Sequence, residues 1–408
     1  MKVLITEMNP KATPMFEARA SGRSSLSTVL GLIHEHRAIT RSEICSFTGL
    51  SRSTVAKLVT TLVNLGFASD TGAEQLDRVG RPSMGVDASK EVLAISVHPE
   101  VDYLEVKAVA FNGTIVHSEK RLYDDPITQY QALEDMVQVI ENLVAELETS
   151  DAPYRILGIG VIVPGQINSS TGIVRHAPHL QWSEFPIRDL LTERLSMPVF
   201  VANDASLGCK AEMAYGAAKG ATDVVYMHGT SGIGGGVFMN GTELKGFRGY
   251  AGELGHMRIS SGKELDYSGI QGTLEALVRR DDLEAVLGLK NVSDEDLEDA
   301  LLNNRTPEST ALARRQIEAL GIATANLANI FNPEVFVLAG FLRFLYRFDQ
   351  NYFHRVIKKH AIPAVLEGMQ VFVNELGTNS LAIGASELVF QEAIADPTKF
   401  ATPAKLGT

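Results

Sequence analysis

Residues 40–65 read TRSEICSFTGLSRSTVAKLVTTLVNL, the layout of a helix-turn-helix. Thr40 and Glu43 have the spacing of a capping box, which starts a short helix. Ile44 and Phe47 give that helix an inward face. Gly49 stands where the turn needs a residue tolerant of positive φ. Ser51 can cap a second helix and leaves Arg52, Ser53 and Thr54 in its first turn. Val55, Leu58, Val59 and Leu62 fall at i, i+3, i+4 and i+7, one apolar face. The opposite face carries Arg52, Ser53, Lys57, Thr60 and Thr61. Hydroxyls and cations at an exposed helix start, with apolar packing behind, are what a reader of base edges and phosphates needs.

Leu26, Val29, Leu30 and Ile33 repeat the spacing upstream and predict a supporting helix. Downstream, 67–86 predicts two short strands around a turn containing Gly80, Arg81 and Pro82, which places an arginine at the tip of a wing. The expected unit is a winged helix-turn-helix over 21–88, preceded by a mobile arm over 1–20. Its DNA-facing candidates are Arg41, Ser51, Arg52, Ser53, Thr54, Lys57 and Arg81.

Charge supports that division. The chain carries a formal net charge of −12. Between Arg19 and Ser69, however, six cations face two anions, a local balance of +4, so the rest sums to −16. A DNA reader on an acidic body must concentrate its positive charge locally. At 408 residues, two or three domains are expected. No apolar run is long enough to span a membrane, and the first residues lack the apolar core of a secretory signal. The two cysteines, Cys45 and Cys209, read as small apolar residues of a reduced compartment, not as a disulfide. A cytoplasmic protein is expected.

Strand-like stretches at 92–97, 103–111, 156–163, 199–202, 224–228, 234–239 and 334–339 alternate with helical stretches at 130–147 and 311–331. This predicts an α/β body over 89–395 with mixed sheets and a loose tail over 396–408. Glycine and polar residues close the strands, where such folds place ligands. Trp182 is expected to pack the segment between Pro178 and Pro186.

The segments GVIVPGQINSSTGIVRHAPHLQW, VANDASLGCKAEMAYG, HGTSGIGGGVFMNG and GYAGELGHMRI resemble, in order, successive motifs of the ROK family (repressors, open reading frames and sugar kinases). With the winged head in front, the chain resembles the xylose-repressor and N-acetylglucosamine-repressor branch. The resemblance implies two actin-like (ribonuclease H-like) lobes with a sugar cleft between them, in a homodimer or homotetramer. It assigns sugar contacts to Asn203, Asp204, Glu253, His256 and Glu275, and in the family's kinases the residue matching Asp204 is the catalytic base. Three carboxylates, an amide and an imidazole suit a polyol, whose buried hydroxyls all need polar partners.

Two departures from the family pattern matter. Where its kinases place an Asp and a Gly-Gly-Thr turn for ATP phosphates, this chain has Ser96, His98, Pro99 and Glu100. Proline removes a donor and glutamate repels phosphate. A second glycine turn, 229–234, survives, and a later one is only partly kept as Ala339-Gly340-Phe341. The family's zinc site joins the histidine of GELGH to three cysteines, and here Asp266, Ser268 and Thr273 stand in their places. No cofactor and no metal are expected, with Asp266 hydrogen-bonded to His256 instead.

Together these readings predict a sugar-responsive transcriptional regulator, in the repressor class, on a palindromic DNA operator. Its effector is a sugar or sugar phosphate, and no catalytic residues are expected. The alternative is an ATP-dependent sugar kinase with an accessory DNA-binding head.

Overall fold

The computed structural model describes residues 24–71, 85–124, 127–168, 170–247, 249–290 and 292–400. The head runs α1 (Ser25–His36), β1 (Ala38–Thr40), α2 (Arg41–Thr48), α3 (Arg52–Asn64), β2 (Ala68–Thr71) and β3 (Gly85–Ala88). Its helix boundaries follow from local chemistry. Thr40 Oγ1 accepts from the Glu43 N–H at 3.2 Å, and Glu43 Oε2 accepts from the Thr40 N–H at 2.9 Å, closing the capping box. Gly49 has φ of +68°, and its N–H donates to the Cys45 carbonyl at 2.9 Å. Ser51 Oγ caps α3 by accepting from the Thr54 N–H at 3.2 Å. Val29, Leu30, Ile33, Ile44, Val55, Val59 and Leu62 are buried together.

Phe47 departs from expectation. It is 38% exposed and stacks on His36 at 5.3 Å rather than entering the core. The expected wing strands form as β2 and β3, and β1 joins them in a sheet ordered β1-β3-β2. At three residues β1 is too short to show a period. Gly80, Arg81 and Pro82 lie outside the described residues, so Arg81 is not placed.

The body holds two sheets of one plan. The first lobe contains β4 (Val92–Pro99), β5 (Tyr103–Ala110), β6 (Ile115–Leu122), α4 (Gln129–Glu148), β7 (Arg155–Val163), β8 (Gln166–Asn168), β9 (Ile173–Ala177), β10 (Trp182–Phe185), α5 (Ile187–Leu195), β11 (Val199–Asn203) and α6 (Asp204–Tyr215). Its main sheet is ordered β11-β7-β4-β5-β6, with β4, β7 and β11 parallel and the β4–β6 meander antiparallel.

The second lobe contains β12 (Val224–Gly229), β13 (Ile233–Met239), β14 (Thr242–Glu243), α7 (Leu274–Leu277), α8 (Arg280–Val286), α9 (Asp294–Asn303), α10 (Pro307–Phe331), β15 (Val335–Gly340), α11 (Leu342–Phe348), α12 (Gln350–His360), β16 (Gln370–Val373) and α13 (Ser380–Ala395). Its order, β14-β13-β12-β15-β16, repeats the first: an antiparallel meander continued by two parallel strands. This repetition is the two-lobed actin-like arrangement, and it turns the carboxyl ends of β4, β7, β11, β12 and β15 toward a common cleft.

α13 binds the parts together. A Cβ on Gly384 would meet the Leu207 carbonyl of α6 at 2.2 Å, and one on Gly160 of β7 would meet the Ala385 carbonyl at 2.2 Å. Backbone therefore touches backbone on both sides of α13. Its far end continues into the head: Phe67 and Val86 share one buried cluster with Val92, Phe111, Val389, Phe390 and Ile394. Each such side chain contributes roughly 1.5–3 kcal/mol when buried, so the head is docked rather than tethered.

The loose tail expected from Asp396 is corrected at its start. Residues Pro397–Phe400 form a single 3₁₀ turn, Pro397 is buried, and the Arg155 guanidinium donates to the Phe400 carbonyl at 3.1 Å. Trp182 packs as expected, buried edge-on against Phe185.

Candidate functional site

Two surfaces concentrate the chemistry. On the head, Arg52, Ser53 and Lys57 project from the exposed face of α3, beside Thr60 and Thr61. Ser51 and Thr54 are partly committed to the helix start: Ser51 Oγ lies 2.8 Å from Thr54 Oγ1 and 2.9 Å from Ser53 Oγ. Arg41, at the start of α2, pairs with Asp70 of β2 at 2.5 Å and so braces the wing strand.

In the cleft, β11 delivers Asn203 and Asp204 to the start of α6. The cap of that helix is Asn203. Its Oδ1 accepts from the Ala205 N–H at 3.0 Å, and its amide donates to the Gly165 carbonyl at 3.1 Å. Asp204 is thereby freed from capping. It is buried, and its pKa rises from 3.8 to about 6. Burial is the largest cause, the neighbouring Glu100 adds to it, and His98 opposes it.

The GELGH segment is a tight 3₁₀ turn, Leu254–His256. Glu253 faces the open cleft, yet it is crowded enough for burial to raise its pKa, with His256 opposing and Glu275 assisting. Glu275, buried on α7, accepts from the Ile233 N–H through Oε2 at 2.8 Å, while Oε1 has no hydrogen-bond partner among the described residues. The structure thus brings Asp204, Glu253, His256 and Glu275 to one cleft, with Asn203 at its wall.

Behind His256 stands the residue set that replaces the three cysteines. His256 Nδ1 lies 2.9 Å from Asp266 Oδ2, and Thr273 Oγ1 donates to the same oxygen at 2.9 Å. Asp266 Oδ1 accepts from the N–H groups of Ser268 at 2.9 Å and Ile270 at 2.8 Å. Burial alone would lower the His256 pKa, but the hydrogen bond to Asp266 and the carboxylates around it raise it. Asp266 shifts the other way: burial would raise it, and the bonds from His256, Ile270 and Thr273 hold it down. The two shifts have one cause, the hydrogen bond that holds His256 against Asp266. One ligand atom from each of His256, Asp266 and Glu275 lies within 4.8 Å of the others. However, all four acceptor positions of Asp266 are already filled, and no thiolate is present, so this donor set does not fit a structural zinc.

On the phosphate side, β4 runs straight through His98 and Pro99, so these residues occupy a strand rather than the turn expected for them. Pro99 pairs with Leu104 across the hairpin, and the turn itself begins at Glu100. A β-strand aims its N–H groups at its neighbours and cannot cup a phosphate as a glycine turn does.

A family model described as the ROK family matches residues 95–392 of this chain. The chain belongs to the ROK family. A second model, the IclR helix-turn-helix domain, matches residues 27–71 of this ROK protein. The xylose repressor of Bacillus spizizenii (strain ATCC 23059 / NRRL B-14472 / W23) is 28% identical over 88% of this chain and 93% of its own length. The glucokinase of Halalkalibacterium halodurans is 31% identical over 58% of this chain and 77% of its own. Among solved structures, a ROK family transcriptional regulator, a homologue of the E. coli MLC protein, superposes with a TM-score of 0.75 at 22% identity. That match covers 92% of this chain and 98% of the other, head included.

Sequence reasoning missed the polar contact between head and body. His34 of α1, Tyr215 at the end of α6 and Glu387 of α13 meet in a triangle with sides of 2.6, 2.7 and 2.8 Å. His34 follows Leu30 and Ile33 on the buried stripe of α1, which marks it as interior, but its partner lies 353 residues away.

Proposed function

We propose that this ROK protein is a sugar-responsive, DNA-binding transcriptional regulator of the repressor type. The observation that carries this is the union, in one chain, of an IclR-type helix-turn-helix with a ROK body whose cleft gathers three carboxylates and an imidazole. The xylose repressor relative has the same two-part extent. In this reading α3 enters the major groove, where Arg52, Ser53, Thr54 and Lys57 reach base edges and phosphates. Arg41, Ser51 and the wing's Arg81 support it. Two heads of a homodimer, or of a homotetramer, meet the halves of a palindromic operator. The protein works in the cytoplasm, and no helix among the described residues is long and apolar enough to cross a membrane.

An Arg52→Ala protein is expected to lose roughly five- to 150-fold in operator affinity, the equivalent of about 1–3 kcal/mol for a base-edge contact. Its sugar affinity should not change. Fluorescence anisotropy on an operator duplex, beside calorimetric sugar titration, tests this, and an unchanged operator affinity would remove α3 from the interface.

The cleft holds sugar without phosphorylating it, because the strand through Pro99 and the carboxylate of Glu100 replace the donors a nucleotide needs. The kinase reading draws on two observations: Asp204, raised to about 6, is suited to a general base, and the 229–234 glycine turn remains. A coupled ADP-release assay with a hexose panel separates the readings. Turnover that vanishes in Asp204→Asn would establish the kinase.

Zinc has no role in this proposal. Chelator-free protein is expected to contain no stoichiometric zinc and to keep its melting temperature in EDTA. By contrast, Asp266→Ala orphans two N–H groups, a hydroxyl and the His256 ring, and should cost about 3 kcal/mol or more. Chemical denaturation of the two proteins measures the difference, and zinc-dependent unfolding would overturn the assignment.

A further inference from the structure

The nucleotide side of the cleft is a space of about 840 Å³ between the lobes. Its lining argues against phosphate. Carboxylates outnumber Lys and Arg seven to three among the described residues that face it. Its lining is nevertheless rich in unused hydrogen-bonding capacity. His98 Nε2, Glu100 Oε1, His228 Nε2 and Ser231 Oγ are buried without a hydrogen-bond partner among the described residues. The side chains of His98, Glu100 and His228 are all more than nine-tenths buried. His98 Nε2 and Glu100 Oε1 stand 3.4 Å apart without completing a hydrogen bond to each other. Buried polar atoms normally find partners, so orphaned atoms of both kinds around one cavity point to a ligand that both donates and accepts.

Two further features narrow its chemistry. Burial lowers the His228 pKa to about 4, so that ring is neutral and offers no charge to an anion. Aromatic surface is present as well: Tyr267 is 43% exposed and meets His179 edge-on at 4.5 Å. Aromatic faces beside neutral hydrogen-bonding groups suit the apolar face and hydroxyl rim of a sugar ring.

This space adjoins the sugar-contact residues described above. A Cβ on Gly232 would lie 2.6 Å from Glu275 Oε2 and 3.1 Å from His179 Nε2, so these two side chains flank the same glycine. Glu100 and His98 are close enough to Asp204 to shift its titration. A cavity of this size suits a ligand larger than one ring.

We infer that the vacated nucleotide side is a second sugar subsite, and that the effector is a neutral disaccharide or longer glycan. One ring rests on Asp204, Glu253, His256 and Glu275, and the next lies between Glu100 and Tyr267. The inference rests on the sugar-sensing reading above and deepens it.

The test is calorimetric titration of the full-length protein with glucose, xylose and N-acetylglucosamine, their β-1,4-linked dimers, their phosphates, and a non-hydrolysable ATP analogue. At least one dimer is expected to bind about tenfold or more tighter than its own monomer. Tyr267→Ala, at an exposed position, and Ser231→Ala should each weaken that dimer about fivefold or more and leave the monomer within about twofold. Monomers that bind with no gain from any dimer would overturn the second subsite alone. So would tighter binding of a phosphorylated sugar or of the ATP analogue, or variants that weaken monomer and dimer equally. If no saccharide of either length binds, the sugar-sensing reading fails, and the subsite fails with it.

Discussion

An Asp204→Asn protein is expected to bind sugar about 10- to 150-fold more weakly, and at the same time to be more stable than the parent at neutral pH. The first effect follows from exchanging a charged acceptor for a neutral one, since hydrogen bonds to charged groups are worth about 1.5–3 kcal/mol. The second follows from linkage. Folding raises this carboxyl from 3.8 to about 6, chiefly by burial and secondly by Glu100. The folded chain therefore binds the extra proton between about pH 4 and pH 6, and stability falls as pH rises through that window. Above the window the penalty is complete, on the order of 3 kcal/mol for a shift of about two units. The amide carries no such penalty. The stability gap between variant and parent should thus be absent near pH 4, open between pH 4 and pH 6, and stay constant above. Urea unfolding across that range reads it directly. A variant less stable than the parent at every pH would show that the carboxylate is satisfied in the free protein. On DNA, the variant should remain on its operator at sugar concentrations that release the parent.

The same residue shows what could be read in advance. Asn203 and Asp204 end an apolar strand and begin a helix, a local placement legible in the sequence, while their role came from the resemblance to the ROK family. The capping box at Thr40, the positive φ of Gly49 and the Ser51 cap are equally local and formed as expected. The His256–Asp266 bond was foreseeable because the two positions correspond to ligands of one metal in related proteins, and geometry survives a change of chemistry.

What could not be read is non-local or irregular. The β8–β10 sheet is made of strands of three to five residues, and Gln181 and Glu184 take positive φ, so no period survives. The strand through His98 and Pro99 was hidden by a proline. That position is paired only to Leu104 of the adjoining hairpin strand, where a missing N–H is tolerated. Phe47 has the right spacing for burial but stacks on His36 and stays 38% exposed, while Ile44 is the residue that α2 buries.

The contact that no periodicity could disclose carries the other large prediction. Glu387→Leu is expected to destabilise the protein by about 2–6 kcal/mol, because it leaves two buried polar groups, the His34 ring and the Tyr215 hydroxyl, without their acceptor at roughly 1–3 kcal/mol each. Burial alone would raise the Glu387 pKa, but the charge and hydrogen bond of His34, with the bonds from Tyr215 and Gln391, outweigh it and hold the carboxyl down. Its loss leaves His34 and the Tyr215 hydroxyl facing an apolar residue between Phe111 and Phe390. The double variant His34→Phe/Glu387→Leu removes the orphaned ring as well and should recover part of the stability. A single variant within about 0.5 kcal/mol of the parent in urea would mean that the network contributes nothing. The double variant also tests how sugar reaches the head. α6 begins at Asp204 in the cleft and ends at Tyr215 against α1, a span of about 17 Å at 1.5 Å per residue. The close contact of α13 with α6 at Gly384 makes that helix a rigid link, so a shift at its start is expected to reach the triangle at its end. The double variant should bind operator and sugar separately as the parent does, while sugar no longer weakens operator binding. The ratio of operator affinities with and without sugar, which measures the coupling, falls toward one. A ratio equal to the parent's would place the signal on the apolar contacts of Phe67, Phe111 and Phe390 instead.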